Sequence, residues 1–123
     1  MSKNLDYAVL LDYYGGLLTD KQKDIMELYY YEDLSLSEIA ENEAITRQGV
    51  HDAIKRAQQY LDDFEQKLGF VKKIYGCREL VEKMEVRAQS LKEYNIKYMH
   101  SISVTEDVNV ILECISGTQE LLG

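Results

Sequence analysis

Three observations predict an all-α fold. The chain contains no proline, Thr19 and Ser35 each stand three residues before Gln22 or Glu38, and apolar residues recur every three or four positions over long stretches. Proline is the strongest helix breaker, so its absence favours long helices. Ser or Thr followed three residues later by Glu or Gln satisfies two orphan N–H groups at a helix start. A three- and four-residue rhythm puts apolar side chains on one helical face. The 123 residues are 46% apolar and 29% charged, enough to bury a core without disulfides or metals. The expected organisation is five or six helices: a helix-turn-helix domain over residues 1–76, then a helical extension over 77–123 that packs on it or on a partner chain.

The first helix is expected over 4–14, "NLDYAVLLDYY", capped by Asn4 and ended by Gly15 and Gly16. Asp6 and Asp12 leave it no clean polar face, so it must pack against more than one element or against another chain. Thr19 and Gln22 open the second helix, in which Ile25, Leu28 and Tyr29 keep helical spacing. Adjacent helical residues point about 100° apart, so of Tyr29, Tyr30 and Tyr31 one or two fill the core and the rest cover a joint. Ser35 and Glu38 open a short third helix with Ile39 and Ala40 inward.

Thr46 caps a long fourth helix whose inward face is Val50, Ala53, Ile54, Ala57, Leu61, Phe64 and Leu68. The rhythm continues through Val71 and Tyr75, then resumes out of step at Cys77, Val81, Met84, Ala88 and Leu91. A kink, a break or a change of packing face is therefore expected near Gly76, with a further helix to about Met99. Gly69 is the second candidate, behind Gly76 because apolar spacing runs across it unbroken. "HSISVTED" is expected to be a loop, with Ser103 and Glu106 starting a last short helix that ends before Gly117.

Residues 35–60 have the makings of a helix-turn-helix. Ala40 is small where two helices cross, Ala44 and Ile45 form the turn and its apolar plug, and Thr46 caps the second helix. With Val50 inward, Gln48, Asp52, Lys55 and Gln59 lie on the opposite face, flanked by His51 and Arg56. Gln can bond adenine, Lys guanine, and Asp can accept from cytosine. Thr46 and Arg47 sit at the helix start, where phosphates are commonly bound.

Residues 18–61 resemble region 4 of bacterial sigma factors, through "LT..Q", "LSLSEIAE" and "TRQGV.....RA". More narrowly, the double tyrosine, "SLSEIAE", "RQ.V.D.IKR" and "YLDDFEQKL" resemble the YlxM family, most clearly from residue 5 to about 75. That resemblance implies a small cytosolic helix-turn-helix regulator, encoded beside signal recognition particle genes and acting in that pathway. Two positions depart from the pattern. Glu43 replaces an apolar turn residue, and Ala44 replaces glycine and must take a left-handed backbone, at roughly 1 kcal/mol, or change the turn.

Charge sharpens the expectation. The formal net charge is −8, yet residues 46–60 carry three basic side chains and one acidic, a net of +2. Residues 1–45 are net −7 and residues 61–123 net −3. So few cations make few phosphate contacts, each contributing about −0.9 to the salt slope. A dimer doubles them and supplies two reading helices. The over-apolar first helix and the seam from Ala57 to Leu91 favour such self-association. DNA is therefore the expected partner. The alternative is a protein- or RNA-interaction module that binds the signal recognition particle protein or its RNA without DNA, its acidic surface matched to a basic one.

No enzyme is expected. His51 and His100 are far apart, Cys77 and Cys114 lack zinc spacing, and no glycine-rich phosphate loop is present. No cofactor or metal is expected either. No apolar run approaches the roughly 20 residues of a membrane span. Nothing ahead of the first helix resembles a signal peptide, so both thiols are expected reduced in a cytosolic protein.

Overall fold

The computed structural model describes residues 3–123. Among them lie six α-helices and no strand: α1 (Leu5–Tyr14), α2 (Asp20–Tyr30), α3 (Leu36–Glu43), α4 (Arg47–Leu68), α5 (Phe70–Tyr94) and α6 (Ile102–Leu122). A 3₁₀ turn at Gly15–Leu17 follows α1, and a π turn at Asn95–Met99 follows α5. The helices form two compact units, the first ending at Val71 and the second spanning Lys72–Gly123.

In the first unit every helix start is satisfied by the residue expected. Asn4 Oδ1 accepts from the Asp6 N–H at 2.9 Å, and complete capping boxes form at Thr19–Gln22 and Ser35–Glu38. The fourth helix buries Val50, Ile54, Ala57 and Leu61 on one stripe and packs that stripe against α1, α2 and α3. Leu11, Tyr14, Leu18, Ile25, Met26, Tyr29 and Ile39 complete the core. α1 spends its apolar character within the chain, because it lies against both α2 and α4. Of the three consecutive tyrosines, Tyr29 is buried, Tyr30 half-buried and Tyr31 exposed.

The long helix breaks at Gly69, not at Gly76. Gly69 takes φ +65°, a left-handed conformation that glycine adopts freely, and its N–H closes on the Glu65 carbonyl at 2.8 Å. The start of α5 is then capped by side chains from elsewhere. The Phe70 N–H donates to the buried Tyr14 hydroxyl at 3.0 Å, and the Val71 N–H to Glu65 Oε1 at 3.2 Å. Tyr14 in turn donates to Glu65 Oε1 at 2.5 Å. Gly76, where the apolar phase shifts, sits inside α5 with open space around its Cα.

In the second unit α5 and α6 form an antiparallel hairpin. Arg78 donates to the carbonyls of Leu122 and Gly123, at 2.6 and 2.9 Å, which fixes the start of one helix at the end of the other. The hairpin buries only Val81, Ala88, Val108 and Ile115, with Asn95 at its tip. Asn95 organises that tip: Nδ2 donates to the Ser101 carbonyl and to Thr105 Oγ1, and Oδ1 accepts from the Ser101 N–H at 2.9 Å. The last helix consequently starts one residue after Ser101 rather than after Ser103, so most of the expected loop is helical. It also runs through Gly117 to Leu122, since the space beside that glycine is open and a single glycine costs a helix only ~1 kcal/mol.

Candidate nucleic-acid interface

The candidate interface is built on the turn between α3 and α4. Ala44 ends α3 at φ +56°, so the alanine does accept the left-handed backbone. The next N–H, of Ile45, bonds the Ala40 carbonyl at 3.1 Å, and its side chain plugs the core. Thr46 Oγ1 then accepts from the Gly49 N–H at 2.9 Å. A Cβ at position 49 would stand 3.1 Å from that same oxygen, so glycine lets the cap close tightly.

With Val50 and Ile54 sealed in the core, the helix turns its opposite face outward. Thr46, Arg47, Gln48, Asp52, Lys55, Arg56 and Gln59 are all exposed, and His51 is half-buried. Three of these come together. Gln48 Nε2 donates to Asp52 Oδ1 at 3.0 Å, and His51 Nδ1 lies 3.6 Å from the same carboxylate oxygen, beyond a hydrogen bond. The second Gln48 amide hydrogen and its oxygen remain for an outside partner. Lys55, Arg56 and Gln59 continue along the helix. Gln58, one residue off the face, donates to the Tyr30 hydroxyl at 2.8 Å and ties α4 to α2.

Lys3 has a structural part beside this site that periodicity did not single out. Its Nζ bonds the carbonyls of Tyr29 (2.7 Å) and Leu34 (3.1 Å) and the Asp33 carboxylate (2.7 Å), and sits 4.3 Å over the Tyr29 ring. It fastens the segment between α2 and α3. Arg47 and Lys3 line one surface hollow with Ser35 and Leu36 at the start of α3. A lone lysine ahead of the first helix gives no sequence signal for that role, because its partners lie 26–31 residues away.

Among the described residues no group of three or more His, Cys, Asp or Glu side chains is placed to hold a metal, and both cysteines are free and exposed. No described helix is long and apolar enough to cross a membrane.

A short helix, a left-handed turn and a capped second helix with a buried stripe behind an exposed polar one define a helix-turn-helix protein. The family model described as "Putative helix-turn-helix protein, YlxM / p13 like" matches residues 1–102, and the chain belongs to this family, UPF0122. It is 60% identical over 75 residues to a UPF0122 protein of Desulforamulus reducens, covering 60% of this chain and 64% of the relative, just under two thirds of its length. It is 45% identical over 93 residues to the UPF0122 protein YlxM of Bacillus subtilis, covering 76% and 84%. A UPF0122 protein of Clostridium perfringens is 39% identical over 111 residues, covering 89% and 99%.

Proposed function

We propose that this chain is a DNA-binding regulator that lays the first turns of α4 in the major groove as a homodimer. One observation carries the reading: the exposed stripe of Gln48, Asp52, Lys55 and Gln59 lies on residues 46–60, which are net +2 and follow 45 residues that are net −7. Gln48 reads a base edge, with Asp52 holding its amide in place. Lys55 and Arg56 take phosphates, and Thr46 and Arg47 anchor the helix start. No residue in this arrangement is given a catalytic part.

The test is retardation of DNA selected from a random pool, at several salt concentrations. Lys55→Ala with Arg56→Ala is expected to weaken binding on every sequence and to lower the salt slope by about two. Gln48→Ala is expected to relax sequence preference by about 1–3 kcal/mol and leave the slope alone. If the double variant binds as the parent does, the groove-reading model is wrong.

A second reading is favoured by the net charge of −8, which repels DNA and suits a basic partner. In it the same helix-turn-helix is a platform for the protein or RNA of the signal recognition particle, the partner implied by the YlxM resemblance. Salt-sensitive co-purification of that component without DNA retardation supports this reading over the first.

A further inference from the structure

The second unit exposes far more apolar surface than a finished hairpin should. Along α5, Leu80, Met84, Leu91 and Tyr94 are all exposed, and Tyr98 extends the row with its ring 5.1 Å from that of Tyr94. With Arg87 filling the gap between Met84 and Leu91, their spacing alternates fours and threes, the pattern of a coiled-coil seam. It is a second seam, distinct from the buried one through Val81 and Ala88. On α6 a matching row runs through Ile111, Cys114 and Leu121, the last 91% exposed.

The two rows share one side of the hairpin. On each helix the exposed row lies about a quarter turn from the buried row in the same rotational sense, at about 100° per residue. Because the helices run antiparallel, equal rotations bring both rows to the same face. Val86 and Val110 are exposed elsewhere and stand singly, which is ordinary for a surface.

We propose that this face is the site where a second copy of the chain docks, turning two hairpins into a four-helix bundle. Area is the first argument. Seven large apolar side chains at on the order of 100 Å² each approach the roughly 800 Å² per partner of a specific interface, and exceed the roughly 300–600 Å² of the largest patch on a typical monomer.

Charge is the second argument, and it selects the occupant. α6 carries four acidic side chains and no basic one, whereas α5 carries six basic against four acidic. The exposed row of α5 includes Arg87 and no carboxylate, and that of α6 begins at Asp107. Neither of these two has an ion pair among the described residues. A hairpin with one positive and one negative seam complements itself when its α5 meets the α6 of a second copy, an isologous arrangement that closes at two.

This inference rests on the two-copy form of the function proposed above but not on DNA binding, and it is tested without DNA. Sedimentation of the full chain at tens of micromolar is expected to give twice the 14.3 kDa mass. Leu80→Glu with Leu91→Glu is expected to raise the dissociation constant about a hundredfold or more, with helix content by circular dichroism unchanged. Arg87→Glu, which sets acid against acid, is expected to raise it about tenfold. Val86→Glu with Val110→Glu, away from the face, should leave the dimer intact. A parent chain that sediments as a monomer overturns the proposal, and so does a dimer that survives the Leu80 and Leu91 changes but is lost with those at Val86 and Val110. DNA retardation by a monomer would then still stand on its own test.

Discussion

The two units spend similar numbers of helical residues to very different effect. In the first, four helices meet around a core in which Ile25, Met26, Ile39, Val50, Ile54, Ala57 and Leu61 are at most 1% exposed. In the second, two long helices bury four apolar side chains between them and leave a broad apolar face outside. The difference is geometric. Helices converging from several directions enclose a volume, whereas two helices share only a line of contact. One region is thus complete as a fold, and the other has the composition of half a bundle.

The largest effect that sharpens this contrast is expected from core truncation. Ile54→Ala should lower the unfolding free energy by about 3 kcal/mol or more, because converging helices cannot collapse onto the cavity. Val81→Ala should cost less, about 1–2 kcal/mol, since a single layer relaxes more easily. Its cost should also grow with protein concentration if the hairpin is completed by a second copy. Chemical denaturation at two protein concentrations checks both; equal, concentration-independent losses would dissolve the distinction.

Next in size is the tyrosine network that ends the first unit. Tyr14→Phe removes the acceptor for the Phe70 N–H and the donor to Glu65, at about 1–3 kcal/mol. The same chemistry sets an alkaline limit. Tyr7, hydrogen-bonded to the Asp62 carboxylate at 2.8 Å and partly desolvated, is pushed up to about 12. Burial, then the bond to Glu65, raises Tyr14, and partial desolvation, then the bond to Asp12, raises the largely exposed Tyr31. Unfolded tyrosine loses its proton near pH 10. Above that the unfolded chain binds fewer protons than the folded one, so stability falls as pH rises from about 10 to about 12 and is untouched below. Denaturation midpoints across that window, in the parent and in Tyr7→Phe, measure it; the variant should show the shallower fall.

The smallest effects come from the backbone and change sign between the units. Gly69→Ala is expected to cost about 1 kcal/mol, because its φ of +65° disfavours a Cβ. Gly76→Ala, mid-helix with nothing within 4 Å of the added carbon, should stabilise by a similar amount. Ala44→Gly relieves the left-handed turn of the helix-turn-helix and should also stabilise by up to about 1 kcal/mol. Thermal melts rank the three; a loss at position 76 would return the break to where the apolar phase shift suggested it.

What the sequence by itself determined is everything that depends on neighbours a few residues apart. The caps at Asn4, Thr19, Ser35 and Thr46, the turn at Ala44 and the inward stripe of α4 from Val50 to Phe64 all follow from contacts within about one helical turn, whereas Leu68, expected on that stripe, is exposed at the helix end. The candidate interface residues were legible for the same reason: once Val50 is inward, the opposite face of a helix is fixed by its period. Tertiary structure alone decided the rest. Gly69 rather than Gly76 ends α4 because Tyr14, 56 residues from Phe70, is there to cap the next helix. Ser101 rather than Ser103 starts α6 because the buried Asn95 amide holds its N–H and carbonyl. Lys3 fastens a segment some thirty residues away, and the unpartnered face of the hairpin is visible only once Val81 and Ala88 have been used to close it. Local signals propose where a helix can begin or stop, and each choice is settled by whichever distant side chain satisfies the backbone groups left open there.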